Sequence, residues 1–204
     1  MNLAFQDLYG IADILDGISL SGRTDDTILM DAYVKAGLEF SYSELSRFKS
    51  VYFNAVKCEI TSYQFMPGIE TLVPMLAERE DISLGLLTGN WQTSARIKMN
   101  AVGFNSFFTY GAFSDDSPHR HELVPVALSR FQALYGYQPR PQDVWVIGDT
   151  PADIQCAKPH GVVSVAVAAA GYNAEELGSH QPDILLDDMT DFDGFLKLLG
   201  QNEE

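Results

Sequence analysis

Apolar positions along this chain follow two different periods. Up to about residue 62 they recur at helical spacing. Leu3, Phe5, Leu8 and Tyr9 share one stripe, and Gly10 stands where that helix can end. A linker over residues 16–23 carries Gly17 and Gly22. Thr24 then has the chemistry of an N-cap, Asp25 and Asp26 suit the positive end of a helix dipole, and Gly37 closes the helix. A third helix is expected from near Ser43 to near Lys57. No strand-like run interrupts these residues, so they predict a small α-helical bundle.

From Phe65 onward the pattern changes. Pro67 suits the start of a helix reaching about Glu80, with Ile69, Leu72, Val73 and Leu76 on one face and Pro74 as a bend. Residues 82–87 read as a short apolar strand stopped by Thr88, Gly89 and Asn90. A helix over 91–101, a short strand over 107–110 and an amphipathic helix over 121–135 follow. Val144, Trp145, Val146 and Ile147 then run unbroken into Gly148 and Asp149, the signature of a strand buried on both faces. Pro151 suits the first position of the next helix and Thr150 its cap. A strand over 162–168, a weak helix over 174–177, a strand over 183–186 and a helix over 192–199 complete the chain. Alternating strand and helix predict an α/β fold with a parallel sheet covered on both faces.

Length and composition narrow the function. A chain of 204 residues suits one domain, or one domain with a small insert. The formal net charge of −15 argues against nucleic acid or an anionic membrane as partner. It also means that an anionic substrate needs local cations, from a metal and a few Arg or Lys side chains. No apolar run is long enough to span a bilayer, and the first residues lack the basic start and cleavage site of a signal peptide. Cys58 and Cys156 stand in no metal-type spacing, which fits a reducing cytoplasm.

Three features sit where strands end and helices open, the place where open α/β sheets bind ligands. Thr88, Gly89 and Asn90 offer a hydroxyl and free backbone N–H groups, a natural phosphate cradle, although such turns are also common as plain structure. Arg120 precedes the long helix, where a guanidinium either meets an oxyanion or is a solvated surface charge. Asp149 and Asp153, four residues apart across a strand-to-helix turn, can share a hard cation such as Mg²⁺. The plainer alternative makes Asp149 a turn cap and Asp153 a partner of the helix dipole. Together the three supply a hydroxyl, a cation and two metal-type carboxylates, a far more specific set than any member.

With these motifs in order, the chain resembles the haloacid dehalogenase-like (HAD) hydrolase superfamily, in its phosphoglycolate-phosphatase-like branch with a helical cap. The resemblance covers nearly all 204 residues. It implies a Rossmann-like parallel core over 63–204 and an all-α cap over 1–62. It further implies a Mg²⁺-dependent phosphoric monoester hydrolase acting on a small phosphorylated metabolite. Thr88, with Gly89 and Asn90, matches the family's phosphoryl-binding motif, Arg120 its charge-stabilising cation, and Asp149 and Asp153 its Mg²⁺-holding acids. Gly22, Arg23, Thr24 and Asp25 are similar to a cap segment of close relatives, in which Arg23 either closes over substrate or pairs with nearby acids.

One part of the family pattern has no match. Members begin with an apolar strand ending in Asp-x-Asp-Gly, whose first Asp attacks phosphorus and whose second acts as acid and base. Asp13 and Asp16, ahead of Gly17, are spaced one residue too far apart and follow no apolar strand. The resemblance therefore implies a chain beginning about 20–30 residues late, a length set by one strand, one loop and part of a helix. The missing strand would be the central one, between those ending at Thr88 and Asp149, and this chain would be inactive without it. A non-catalytic binding or scaffold protein of the same fold is the alternative, and cleavage of a C–halogen or C–P bond is a third. No dinucleotide fingerprint, P-loop or Gly-x-Ser-x-Gly elbow is present, and His119 and His121 lack a third ligand at a zinc spacing.

Overall fold

The computed structural model describes residues 1–60, 65–169 and 171–200. Its first part is helical. Helix α1 (Asn2–Tyr9) ends at Gly10, whose φ of 70° is left-handed and open to glycine without strain. Helix α2 (Asp25–Ala36) starts at Thr24, whose hydroxyl accepts from the Thr27 amide, and closes at left-handed Gly37. Ser41 caps α3 (Tyr42–Glu59) in the same way. The three helices bury one aromatic cluster of Phe5, Tyr33, Phe48 and Tyr52. Phe5 is its hub, with ring centroids 5.6 Å from Tyr33 and 5.1 Å from Phe48 in edge-to-face contact.

The second part alternates as the sequence predicts. In order come α4 (Ile69–Ala77), β1 (Gly85–Leu87), α5 (Gln92–Ala101), β2 (Tyr110–Ala112), α6 (Leu123–Tyr135), β3 (Trp145–Gly148), α7 (Pro151–Ala157), β4 (Val163–Val167), α8 (Ala174–Ser179), β5 (Ile184–Leu186) and α9 (Phe192–Gly200). Several boundaries differ from expectation. The strand expected over 107–110 is displaced: Asn105–Phe107 form a 3₁₀ turn, with Phe104 and Phe107 packed ring to ring, and the strand begins at Tyr110. Only Gly85–Leu87 of the run over 82–87 pair as a strand. Helix α7 gives way at Ala157 to a 3₁₀ turn, Lys158–His160, and Pro159 lies in that turn just past the α-helix. The boundary expected between residues 62 and 63 falls outside the described residues.

Every strand pair is parallel, but the sheet is in two parts. Strand β1 pairs with β2, and β3, β4 and β5 pair in that order. Among the described residues no strand joins β1 to β3. The two parts nevertheless share one helical layer, since α6 packs on β1 and β2, α7 on β3 and β4, and α6 on α7. Leu87 of β1 and Val146 of β3 belong to the same apolar cluster, with Val124, Leu128, Cys156 and Ala157. Strands β1 and β3 are thus neighbouring edges with a gap in the hydrogen-bond ladder, and Ile147 of β3 is left 42% exposed.

Replacing Phe5 by Ala empties the centre of the helical cluster. It is expected to lower the urea midpoint, with a loss of about 3–5 kcal/mol for a fully buried Phe and no change in the slope of the transition.

Candidate active site

The residues singled out in the sequence lie at the ends of β1 and β3 and at the start of α6, and one short stretch of chain touches all three places. Gly22 lies so close to the α7 turn that a Cβ added there would stand 2.5 Å from that of Ala152 and 3.4 Å from Thr150 Oγ1. Gly89 lies against the next residue, Arg23, whose carbonyl oxygen would be 2.2 Å from a Cβ. The Thr24 hydroxyl donates to the Pro118 carbonyl at 2.8 Å, and the Asp25 amide donates to the Gly89 carbonyl at 2.6 Å. Gly89 is required by close backbone approach, and Gly22 by its left-handed φ of 70° and the nearby Ala152 side chain. The turns after β1 and β3 and the segment before Arg120 therefore converge on residues 22–25.

Each predicted residue has a definite place there. Thr88 Oγ1 accepts from the Asn90 amide at 3.2 Å, while the Thr88 amide extends the pairing of β1 to Ala112. The Asn90 side chain accepts from Lys98 Nζ at 2.6 Å. The expectation of free N–H groups is met only in part, because the Trp91 amide donates to Asp25 and the Gln92 amide to Asp115. Carboxylates from elsewhere in the chain cap α5 in place of the side chain that its N-cap residue lacks.

At the other turn, Asp153 is buried and accepts from both the amide and the hydroxyl of Thr150, at 3.1 and 2.7 Å. That pairing is a capping box, so the dipole-and-cap alternative describes part of what Asp153 does. It also forms an ion pair with Arg120, which is far from a solvated surface charge: its side chain is 18% exposed. The Arg120 Nε is buried without a hydrogen-bond partner in the structure. A buried guanidinium donor left unsatisfied is a standing attraction for an anion. Gly148 packs so tightly on Asp153 that a Cβ there would meet its carboxyl carbon at 2.2 Å.

Asp149 is half-buried, and its carboxyl is pushed above the usual range, first by burial and next by the neighbouring Asp153, with Arg120 opposing. A carboxyl that resists ionisation is a setting a bound cation relieves. The donor set is hard oxygen, which suits Mg²⁺ in kind. It is small, however: among the described residues no group of three or more His, Cys, Asp or Glu could hold a metal ion. His119 and His121 stack at 5.9 Å without forming such a group. A cation here would have two acids, one already engaged by Arg120.

Arg23 is committed within the helical part, with its guanidinium on Asp31 at 2.7 Å and on the Ser19 and Thr27 carbonyls. That is the pairing with nearby acids. Asp13 and Asp16 are exposed in a turn, away from any strand end. Four residues at the convergence carried no sequence signal for it: Asp25, Asp26, Trp91 and Lys98. An acidic pair after a Thr is an ordinary helix start, and nothing local announces that Asp25 bonds to a residue 66 positions later. Burial lowers the Lys98 ammonium, and Asp25 partly restores it.

The fold and the motif order place this chain among the haloacid dehalogenase-like hydrolases, and it belongs to that family: residues 11–167 match the family model. It is 26% identical over 132 residues to a phosphoglycolate phosphatase of Synechococcus elongatus, covering 65% of this chain and 59% of that one. It is 26% identical over 154 residues to the pyrophosphatase PpaX of Bacillus velezensis, with 68% of each covered. The chain thus spans less than two thirds of the first of these relatives. Its fold is similar to that of a predicted phosphoglycolate phosphatase from Haemophilus somnus 129PT, with a TM-score of 0.68 and 18% identity over 96% of this chain and 88% of that one. A hydrolase from Pseudomonas syringae is similar at a TM-score of 0.67, 18% identity, and 95% and 91% coverage.

The raised Asp149 carboxyl has a consequence for stability. A folded-state pKa above the unfolded one means that the folded protein holds this proton more tightly. Folding is therefore penalised as pH rises through the carboxylate range, and the penalty is absent below it. Asp149→Asn is expected to raise the thermal midpoint at pH 7 relative to the parent, with the difference vanishing near pH 4 in differential scanning calorimetry.

Proposed function

We propose that this protein is a Mg²⁺-dependent phosphoric monoester hydrolase acting on a small phosphorylated metabolite, in the manner of the phosphoglycolate phosphatases it is similar to. The observation carrying this reading is the convergence, around residues 22–25, of the Thr88 turn, Arg120 and the Asp149–Asp153 pair. In this reading Asp149 and Asp153 hold Mg²⁺, which when bound supplies positive charge against the phosphate oxygens. The Thr88 hydroxyl and the Gly89 amide orient one phosphate oxygen. The unsatisfied Arg120 Nε takes another, and its charge meets the negative charge that builds on the transferring group. The helical part excludes water and, by its loops, chooses the substrate. The division into a cap over 1–62 and a core over 63–204, and a cytoplasmic location, belong to the same proposal. Cys58 and Cys156, both free thiols, support the latter.

The attacking carboxylate of this reading sits on a strand inserted between β1 and β3. Leu87 of β1 and Val146 of β3 share one apolar cluster, and among the described residues no strand pairs between them, which supports that placement. Without that strand the site binds but does not turn over, so the chain by itself is proposed to be inactive. The rival reading, a non-catalytic binding or scaffold protein of this fold, draws support from how fully Asp153 and the amides of Asn90, Trp91 and Gln92 are already engaged.

A phosphatase assay with an aryl phosphate and Mg²⁺ decides between them, run on residues 1–204 and on a version extended ahead of Met1 by an apolar strand ending in Asp-x-Asp-Gly. Turnover by the extended form alone is the expected result. Asp149→Asn should reduce it on the order of a hundredfold or more, because Lewis-acid stabilisation is worth several kcal/mol. No turnover by either form favours the scaffold reading. Robust turnover by residues 1–204, lost in Asp149→Asn, would show that the nucleophile lies elsewhere in this chain.

A further inference from the structure

The indole of Trp91 belongs to the core part of the sequence but is buried in the helical part. It follows Thr88 by three residues, has no exposed surface, and packs edge-on to Tyr52 at 5.4 Å, Phe53 at 6.1 Å and Phe48 at 6.4 Å. Lys49 Nζ stands 4.8 Å from the ring centroid. Every other buried member of that cluster comes from residues 4–56. Polar contacts surround the same point. The Trp91 amide donates to Asp25 Oδ2 at 2.8 Å, and its indole N–H to Asp26 Oδ1 at 3.1 Å. The Ser114 hydroxyl donates to Asp26 Oδ2 at 2.8 Å, and the Asp25 amide donates to Gly89.

We infer that Trp91, Asp25 and Asp26 couple docking of the helical part to the position of the Thr88–Asn90 turn, and are therefore positioning residues for phosphate. The inference rests on the reading of that turn as a phosphate site. The physical argument is continuity. Trp91 is joined to Asn90 by a peptide bond, its amide is held by α2, and its ring is held by α3. If the helical part moves away, either the turn moves with it or an indole enters water while two carboxylates lose their donors. Neither part of this joint is free to shift alone, and docking and turn geometry become one equilibrium. A ligand that favours one position of the turn must then favour docking by the same factor, because linkage is reciprocal.

Trp145 is the second tryptophan, so Trp145→Phe leaves Trp91 as the sole indole reporter. In that background, acrylamide quenching measures the shielding of Trp91, and titration with inorganic phosphate in the presence of Mg²⁺ measures affinity at the turn. Asp25→Asn and Asp26→Asn are expected to raise the quenching constant at least threefold and to weaken phosphate binding about five- to twentyfold. Saturating phosphate is expected to restore the shielding. Ser114→Ala, which removes the hydroxyl that donates to Asp26 Oδ2 and accepts from the Asp26 amide but removes no charge, serves if an Asp variant does not fold and should shift both readouts in the same direction. Quenching that rises while phosphate affinity stays unchanged would overturn the coupling and leave the phosphate site standing. Quenching unchanged in all the variants would overturn it equally. No phosphate binding by any form, parent included, would remove the phosphate reading and the coupling together.

Discussion

The site depends on close approach at two glycines, backbone against backbone at Gly89 and backbone against the Ala152 side chain at Gly22. The contacts there, Asp25 amide to Gly89 carbonyl and Gly22 against Ala152, leave no room for side chains between the helical segment and the two strand-end turns. What fixes the geometry is thus clearance rather than a large apolar interface at that point. The apolar contribution comes from the side, from Trp91, whose ring fills the aromatic cluster of the helical part, with Ile97 packed against it. Close approach sets where the parts meet, and ring burial holds them there.

Charge arrangement follows from the same meeting. Helices α2 and α5 bring their amino-terminal ends together, and each carries the partial positive charge of unpaired N–H groups. Asp25 and Asp115 answer with carboxylates on the Trp91 and Gln92 amides, and Asp25 is buried in doing so. Burial pushes the Asp25 carboxyl above its usual range, while the Trp91 amide and the nearby Lys98 pull it back. On the other side of the convergence the signs alternate again, with Arg120 between Asp153 and its own uncommitted Nε. A chain with a net charge of −15 has placed two of its few cations, Lys98 and Arg120, within one small region.

Much of this was legible in the sequence, for reasons that are local. Gly10, Gly37 and Thr24 end or begin helices through their own backbone preferences, and Pro151 after Thr150 marks the start of α7 without reference to anything distant. The order of Thr88, Arg120, Asp149 and Asp153 along alternating strands and helices was enough to bring them to one end of the sheet. What escaped were properties that arise only between distant segments. The run over 107–110 has strand-like composition, but Phe107 is drawn into ring contact with Phe104 and the strand starts later. Trp91 reads as the first residue of a helix, and only the fold reveals that it is buried among residues some 40 positions earlier. The amides of the Thr88 turn looked available because their acceptors, Asp25 and Asp115, are remote in sequence.

The broken ladder between β1 and β3 also bears on how copies of this chain treat one another. Among the described residues β1 and β3 have no partner strand on their facing edges, and Ile147 is exposed; a free strand edge is in general a template for extended polypeptide. Mutual repulsion among like-charged molecules holds such encounters off, and that protection reaches only about 8–10 Å at physiological to moderate ionic strength. Added salt shortens that reach and so weakens the repulsion between acidic surfaces.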